Sequence, residues 1–127
     1  MAKTILIIDD DPDFTESTRG VLESQGYQVI SAPKGAEGFS KAQNESPDGI
    51  LLDVMIENDS AGLETAKKLR DDPSVSKIPV IILTGIRGAD QLLASYAPGE
   101  AWPNVKDALE KPVDPDLLLK LLEKAVG

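Results

Sequence analysis

The sequence predicts an open α/β sheet of five parallel strands with helices on both faces. The first observation is that five short apolar runs, 4-TILII-8, 27-YQVIS-31, 49-GILLD-53, 78-IPVIIL-83 and the weaker 105-VKDAL-109, alternate with helical patterns. The second is that positions 5–8, 50–52 and 80–83 are apolar without interruption, as central parallel strands require when helices cover both their faces. The third is size: 127 residues, 41% of them hydrophobic, suit a single domain over 1–127 that can bury a core without disulfides.

Taken in order, the strand at 4–8 runs into three aspartates, Asp9, Asp10 and Asp11. The first helix starts at Asp11-Pro12, where a carboxylate caps the free amides and proline suits the first turn; it turns Phe14, Val21 and Leu22 inward and stops at Gly26. Further helices are expected over roughly 34–45, 61–71, 88–96 and 115–125. In the last, Leu118, Leu121, Leu122 and Ala125 recur at i, i+3, i+4 and i+7, and Leu117 and Leu119 widen that stripe. The segment 97-APGEAWPN-104, which holds the single tryptophan, Trp102, reads as a loop insertion. Right-handed crossovers through five βα units give a doubly wound sheet, for which the flavodoxin-like order 2-1-3-4-5 is the common one. That order makes strands one and three neighbours and puts a topological switch point, where such sheets bind ligands, beside the end of strand one.

Composition removes several chemistries. Without Cys or His there is no thiolate or imidazole zinc site, no Ser-His-Asp triad and no cysteine nucleophile. The 22 acidic against 13 basic residues give a net charge of −9, which repels nucleic acid and anionic membranes, and no basic patch offsets it. A turn at Gly-rich, hydroxyl-bearing positions, as flavin phosphate binding needs, is replaced here by acids. The short apolar run at the amino terminus ends in aspartates, so it is neither a signal-peptide core nor a span, and a soluble cytoplasmic protein is expected.

What remains is the chemistry at the strand ends. Strand one ends in Asp9-Asp10-Asp11, strand three in Asp53, strand four in Thr84 and strand five in Lys111-Pro112, all on one edge. Each residue has an ordinary structural role by itself. Together, however, strands one and three bring Asp9, Asp10 and Asp53 close at the crevice, and clustered carboxylates take up protons unless positive charge sits among them. An oxygen-only donor set selects a hard cation, and a site with few carboxylates suits Mg²⁺. Lys111 adds an ammonium and Thr84 a hydroxyl at the same point, forming an electrostatic cradle for a phosphoryl group carried by Asp53.

The set ILIIDDDP, ILLDVM, VIILTG and LEKPV resembles the receiver domain of two-component response regulators, over essentially the whole chain. The resemblance implies a stand-alone phosphoryl-accepting switch that is not an enzyme beyond its own phosphorylation and dephosphorylation. It makes Asp53 the phospho-acceptor. Mg²⁺ would be bound by Asp10, Asp53 and the backbone carbonyl of Met55, with Asp9 acting through water. Thr84 becomes the switch hydroxyl and Lys111 the phosphate-pairing lysine. The implied partners are a histidine kinase or phosphotransfer protein and, since the chain carries no output domain, a downstream protein.

Four departures qualify this. Receivers usually carry an aromatic residue where this chain has Ala108, which leaves no ring to change rotamer. Glu57 stands where proline is common, and 57-ENDSAG-62 and the stretch from Thr84 to Lys111 are longer than usual. Two alternatives stay open: a degenerate receiver serving as a constitutive docking module, which these departures favour, and a phosphatase of the haloacid dehalogenase type, which Asp9-x-Asp11 followed by Thr84 and Lys111 superficially resembles, with Asp9 as nucleophile and Asp11 as acid.

Overall fold

The computed structural model describes residues 2–53, 59–84, 103–111 and 113–126; at 59–63, Thr84 and Glu110 the description is of the backbone alone. The expected helix over 88–96, Met55, Glu57, Pro112 and Trp102 lie outside the described residues. Strands β1 (Thr4–Ile8), β2 (Gln28–Ala32), β3 (Gly49–Asp53), β4 (Val80–Thr84) and β5 (Val105–Glu110) pair in parallel in the order β2-β1-β3-β4-β5. Four described helices accompany them: α1 (Pro12–Ser24), α2 (Gly35–Glu45), α3 (Asp59–Asp71) and α4 (Pro115–Val126).

Successive strand residues feed two separate cores, which is why the central runs are apolar without alternation. Leu6, Ile8, Ile50, Leu52, Val80 and Ile82 pack on one face with Ala42 of α2 and Ala66 and Leu69 of α3. Ile5, Ile7, Leu51, Ile81 and Leu83 pack on the other with Leu22 of α1 and Leu118 and Leu122 of α4. The α2 helix lies unusually close to the sheet at Gly38, where an added Cβ would sit 2.5 Å from Ile8 Cδ1.

Several boundaries differ from the sequence expectation for local reasons. Tyr27 is not part of β2, because its N–H donates to Leu22 O and so belongs to the turn that ends α1 around Gly26, at φ 89°. Ile78 and Pro79 precede β4 rather than begin it: the Ile78 N–H turns back to Val75 O, proline has no N–H, and the sheet starts where Val80 N–H donates to Asn104 O. The α3 helix begins at Asp59, two residues earlier than expected. In α1 the buried stripe is Thr15, Thr18 and Leu22, while Phe14 and Val21 are only half-buried. Hydropathy misses Thr15 because its hydroxyl donates to Asp11 O at 3.0 Å, which satisfies it inside the helix. In α4, Leu118 and Leu122 are buried, Leu119, Leu121 and Ala125 are half-buried, and Leu117 stands 44% exposed.

Candidate functional site

Sheet register sets the site before any side chain is considered. Ile8 pairs with Leu52, so Asp9 and Asp53 follow at the same level at the ends of neighbouring strands. Asp53 in turn pairs with Leu83, next to Thr84. On the far side, β5 carries an irregularity: Val80 pairs with Val105 but Ile81 with Asp107, so Lys106 is an extra residue. This bulge puts Ala108 against Ile82, Leu109 against Leu83 and Glu110 against Thr84, and Lys111 then emerges just past the acidic edge.

The Lys111 ammonium lies 2.6 Å from Asp9 Oδ2 and 3.2 Å from Asp53 Oδ2. The Asp9 side chain is fully enclosed, Asp53 is 8% exposed and Lys111 16%. Carboxylate oxygens of Asp9, Asp10 and Asp53 fall within 4.8 Å of one another, with Asp10 on the solvent side. Asp9 is oriented by the chain that follows it: the Asp11 N–H donates to Asp9 Oδ1 at 2.9 Å, so both its oxygens are held. Asp11 caps α1 as expected, its Oδ1 accepting from the N–H groups of Asp13 and Phe14 at 3.0 and 3.2 Å. Beside the cluster an open cleft of about 290 Å³ runs between α1 and the end of β2, lined by Asp9, Asp10, Pro12, Thr15, Ser31 and Pro33 among others.

The electrostatics follow from this enclosure. Burial pushes the Asp9 carboxyl above its ordinary value; the bonds from Lys111 and the Asp11 amide oppose that rise, and the Asp53 charge adds to it. For Lys111, burial works against the ammonium, but the bond to Asp9 and the charges of both aspartates outweigh it, so its pKa stands above the usual lysine value. The cluster thus keeps its lysine charged.

The structure therefore brings Asp9, Asp10, Asp53 and Lys111 together, and sets Thr84 at the adjacent strand end by register. A comparison with known families matches the sequence model of the response regulator receiver domain to residues 5–123. The chain belongs to this family.

Among its relatives, the receiver is 35% identical over 126 residues to Protein PilH of Pseudomonas aeruginosa, covering 97% of each chain. It is 32% identical to Response regulator PleD of Caulobacter vibrioides over 94% of its own length but only 25% of that protein's. Among solved structures, a response regulator from Chloroflexus aurantiacus superposes with a TM-score of 0.85 at 26% identity, over 99% of this chain and 98% of that one. The chemotaxis response regulator CheY4 of Vibrio cholerae gives 0.80 at 26% identity, over 98% and 99%.

Two features of the receiver's site were missed from sequence. One is the amide of Asp11, which orients Asp9 while the Asp11 side chain caps α1. The other is Phe14, whose ring centroid lies 4.2 Å from the Lys111 ammonium. The available signal is an aromatic residue three positions after a capping aspartate that follows a strand end, a pattern that periodicity alone assigns to the core.

Proposed function

We propose that this receiver takes a phosphoryl group onto Asp53 from a phosphohistidine of a partner histidine kinase or phosphotransfer protein. An Asp53 carboxylate oxygen forms the new O–P bond while the N–P bond breaks, and the imidazole nitrogen of the donor keeps the electron pair. The observation that carries this reading is the clustering of three carboxylates, two of them bonded to one ammonium, at the switch point of the sheet.

Between the two candidate nucleophiles, enclosure favours Asp53. Asp9 has both oxygens engaged and no exposed side-chain surface, as befits a residue that holds charge in place, not one that meets a donor. This counts against the phosphatase alternative with Asp9 as nucleophile.

The donor set fits a hard divalent cation, being all oxygen, strongly acidic and partly open to solvent through Asp10. Asp10 and Asp53, with the Met55 carbonyl and with Asp9 through water, would hold Mg²⁺, which supplies neutralising charge for the phosphoryl oxygens. Lys111 pairs with the phosphoryl charge as it arrives, and the Thr84 hydroxyl would donate to a phosphoryl oxygen. We read 1–127 as one domain, with output through a downstream protein and no turnover of a separate substrate. No described helix is long and apolar enough to cross a membrane.

The test is incubation with Mg²⁺ and acetyl phosphate, followed by mass spectrometry of the intact protein and its peptides. One phosphoryl group on Asp53, absent from Asp53→Asn, is expected. Labelling at Asp9 would favour the phosphatase reading, and no labelling the docking-module reading.

A further inference from the structure

We infer that Phe14 is a positioning residue for phosphoryl acceptance: its ring forms the apolar wall of a cage that holds the Lys111 ammonium beside Asp53. The inference rests on the proposed role of Asp53 and Lys111. The Phe14 N–H, like that of Asp13, donates to Asp11 Oδ1 in the helix cap, and that bond fixes where the Phe14 side chain leaves α1. From there the half-buried ring packs against the core formed by β1, β3, β4, α1 and α4, which limits its freedom to turn away. The Lys111 ammonium then has Asp9 at 2.6 Å, Asp53 at 3.2 Å and the Phe14 ring centroid at 4.2 Å.

An aromatic face is suited to this position for a chemical reason. Lysine carries its charge on a flexible four-carbon stem, and its three N–H donors turn freely toward any acceptor. A third oxygen at the cage wall would compete with an incoming phosphoryl group for those donors. The ring instead attracts the charge through its quadrupole and accepts no strong directional bond. Phe14 thereby keeps the ammonium near the acceptor and leaves its donors to the carboxylates and then to the phosphoryl oxygens. Since the phosphoryl charge is felt mostly as the group transfers, the gain is expected in the maximal rate and not in donor binding.

The experiment measures phosphoryl incorporation at Asp53 against acetyl phosphate concentration, with Mg²⁺ present, in the native protein, Phe14→Leu, Phe14→Tyr, Lys111→Met and the Phe14→Leu/Lys111→Met pair. Phe14→Leu is expected to lower the maximal rate about 3–10-fold, with the half-saturating donor concentration unchanged and Phe14→Tyr within about twofold of native. In the Lys111→Met background Phe14→Leu should have no further effect, because there is no ammonium left to position. An equal loss in both backgrounds, or no loss in either, overturns the inference. Should Phe14→Leu fail to fold, Phe14→Met serves in its place.

A second readout needs no phosphorylation. By NMR the ε-methylene protons of Lys111 should be shifted upfield by the ring in the native protein and in Phe14→Tyr, and return toward ordinary lysine values in Phe14→Leu. Absence of that shift in the native protein overturns the cage. A native protein that shows the shift yet never takes a phosphoryl group defeats the proposed function instead, and with it any role for the cage in transfer.

Discussion

Replacing Lys111 with methionine removes a cation that bonds both Asp9 and Asp53 while keeping a stem of similar length. Its ammonium holds Asp9 at 2.6 Å and Asp53 at 3.2 Å, and the two acids are almost wholly enclosed. Breaking a buried pair by removing one partner costs about 3–5 kcal/mol, and the 16% exposure of Lys111 puts the expected loss near the lower end, about 3 kcal/mol at neutral pH. With a urea m-value of about 2 kcal/mol/M, the midpoint should fall by about 1.5 M.

The pH dependence of that loss has a definite sign. The Asp9 carboxyl is raised in the folded state, so its contribution to stability declines as pH rises from the ordinary carboxylate value through the folded one. Lys111 restrains that rise, and without it Asp9 moves higher still, which enlarges the penalty near neutrality. Below the ordinary value Asp9 is protonated in both states and the penalty disappears. Lys111 itself is also raised, so its stabilisation is complete below the ordinary lysine value and fades as pH climbs through the folded one. Urea unfolding of both proteins at several values from about pH 7.5 down to about pH 4 should therefore show a difference that shrinks with acid. An unchanged midpoint at neutral pH, or an equal loss throughout, would refute this account of the cluster.

Other perturbations have equally direct outcomes. Millimolar Mg²⁺ should raise the thermal midpoint of the native protein by relieving repulsion among Asp9, Asp10 and Asp53, and Asp10→Ala should remove most of that rise in a thermal scan. Gly38→Ala should destabilise by about 1–3 kcal/mol in urea melts despite alanine's better helix propensity, because the new methyl meets Ile8 Cδ1, Cγ1 and Cγ2 at 2.5, 2.6 and 2.9 Å. Asp11→Ala should cost about 1 kcal/mol through loss of the α1 cap, measured the same way. Asp72 accepts from the hydroxyl and amide of Ser74 and from Gln43, which hold its carboxyl below the ordinary value. Its stabilisation is thus present above that value and lost as pH falls through the folded one, so Asp72→Asn should be less stable than native at neutral pH and indistinguishable in strong acid.

The sequence alone determined the architecture and the identity of the acidic edge. Uninterrupted apolar runs at 5–8, 50–52 and 80–83 can be satisfied only by strands covered on both sides, and the residues ending each strand are then bound to share one edge. Asp11-Pro12 likewise announced the start of α1, since a carboxylate cap and a proline act within a single turn. Tertiary structure decided the rest. Side-chain direction in a strand alternates with every residue, so the extra residue at Lys106 reverses which of Ala108 and Leu109 faces which core and sets Lys111 over the acids, yet nothing local in VKDAL marks it. Thr15 and Thr18 are buried in α1 ahead of Phe14 and Val21, although hydropathy ranks them the other way. Above all, the meeting of Phe14 with Lys111 joins residues 97 positions apart, in an aromatic contact that exists only because α1 and the end of β5 converge on the same corner of the sheet. Periodicity and caps are written in neighbours along the chain, whereas such contacts depend on how separate elements pack.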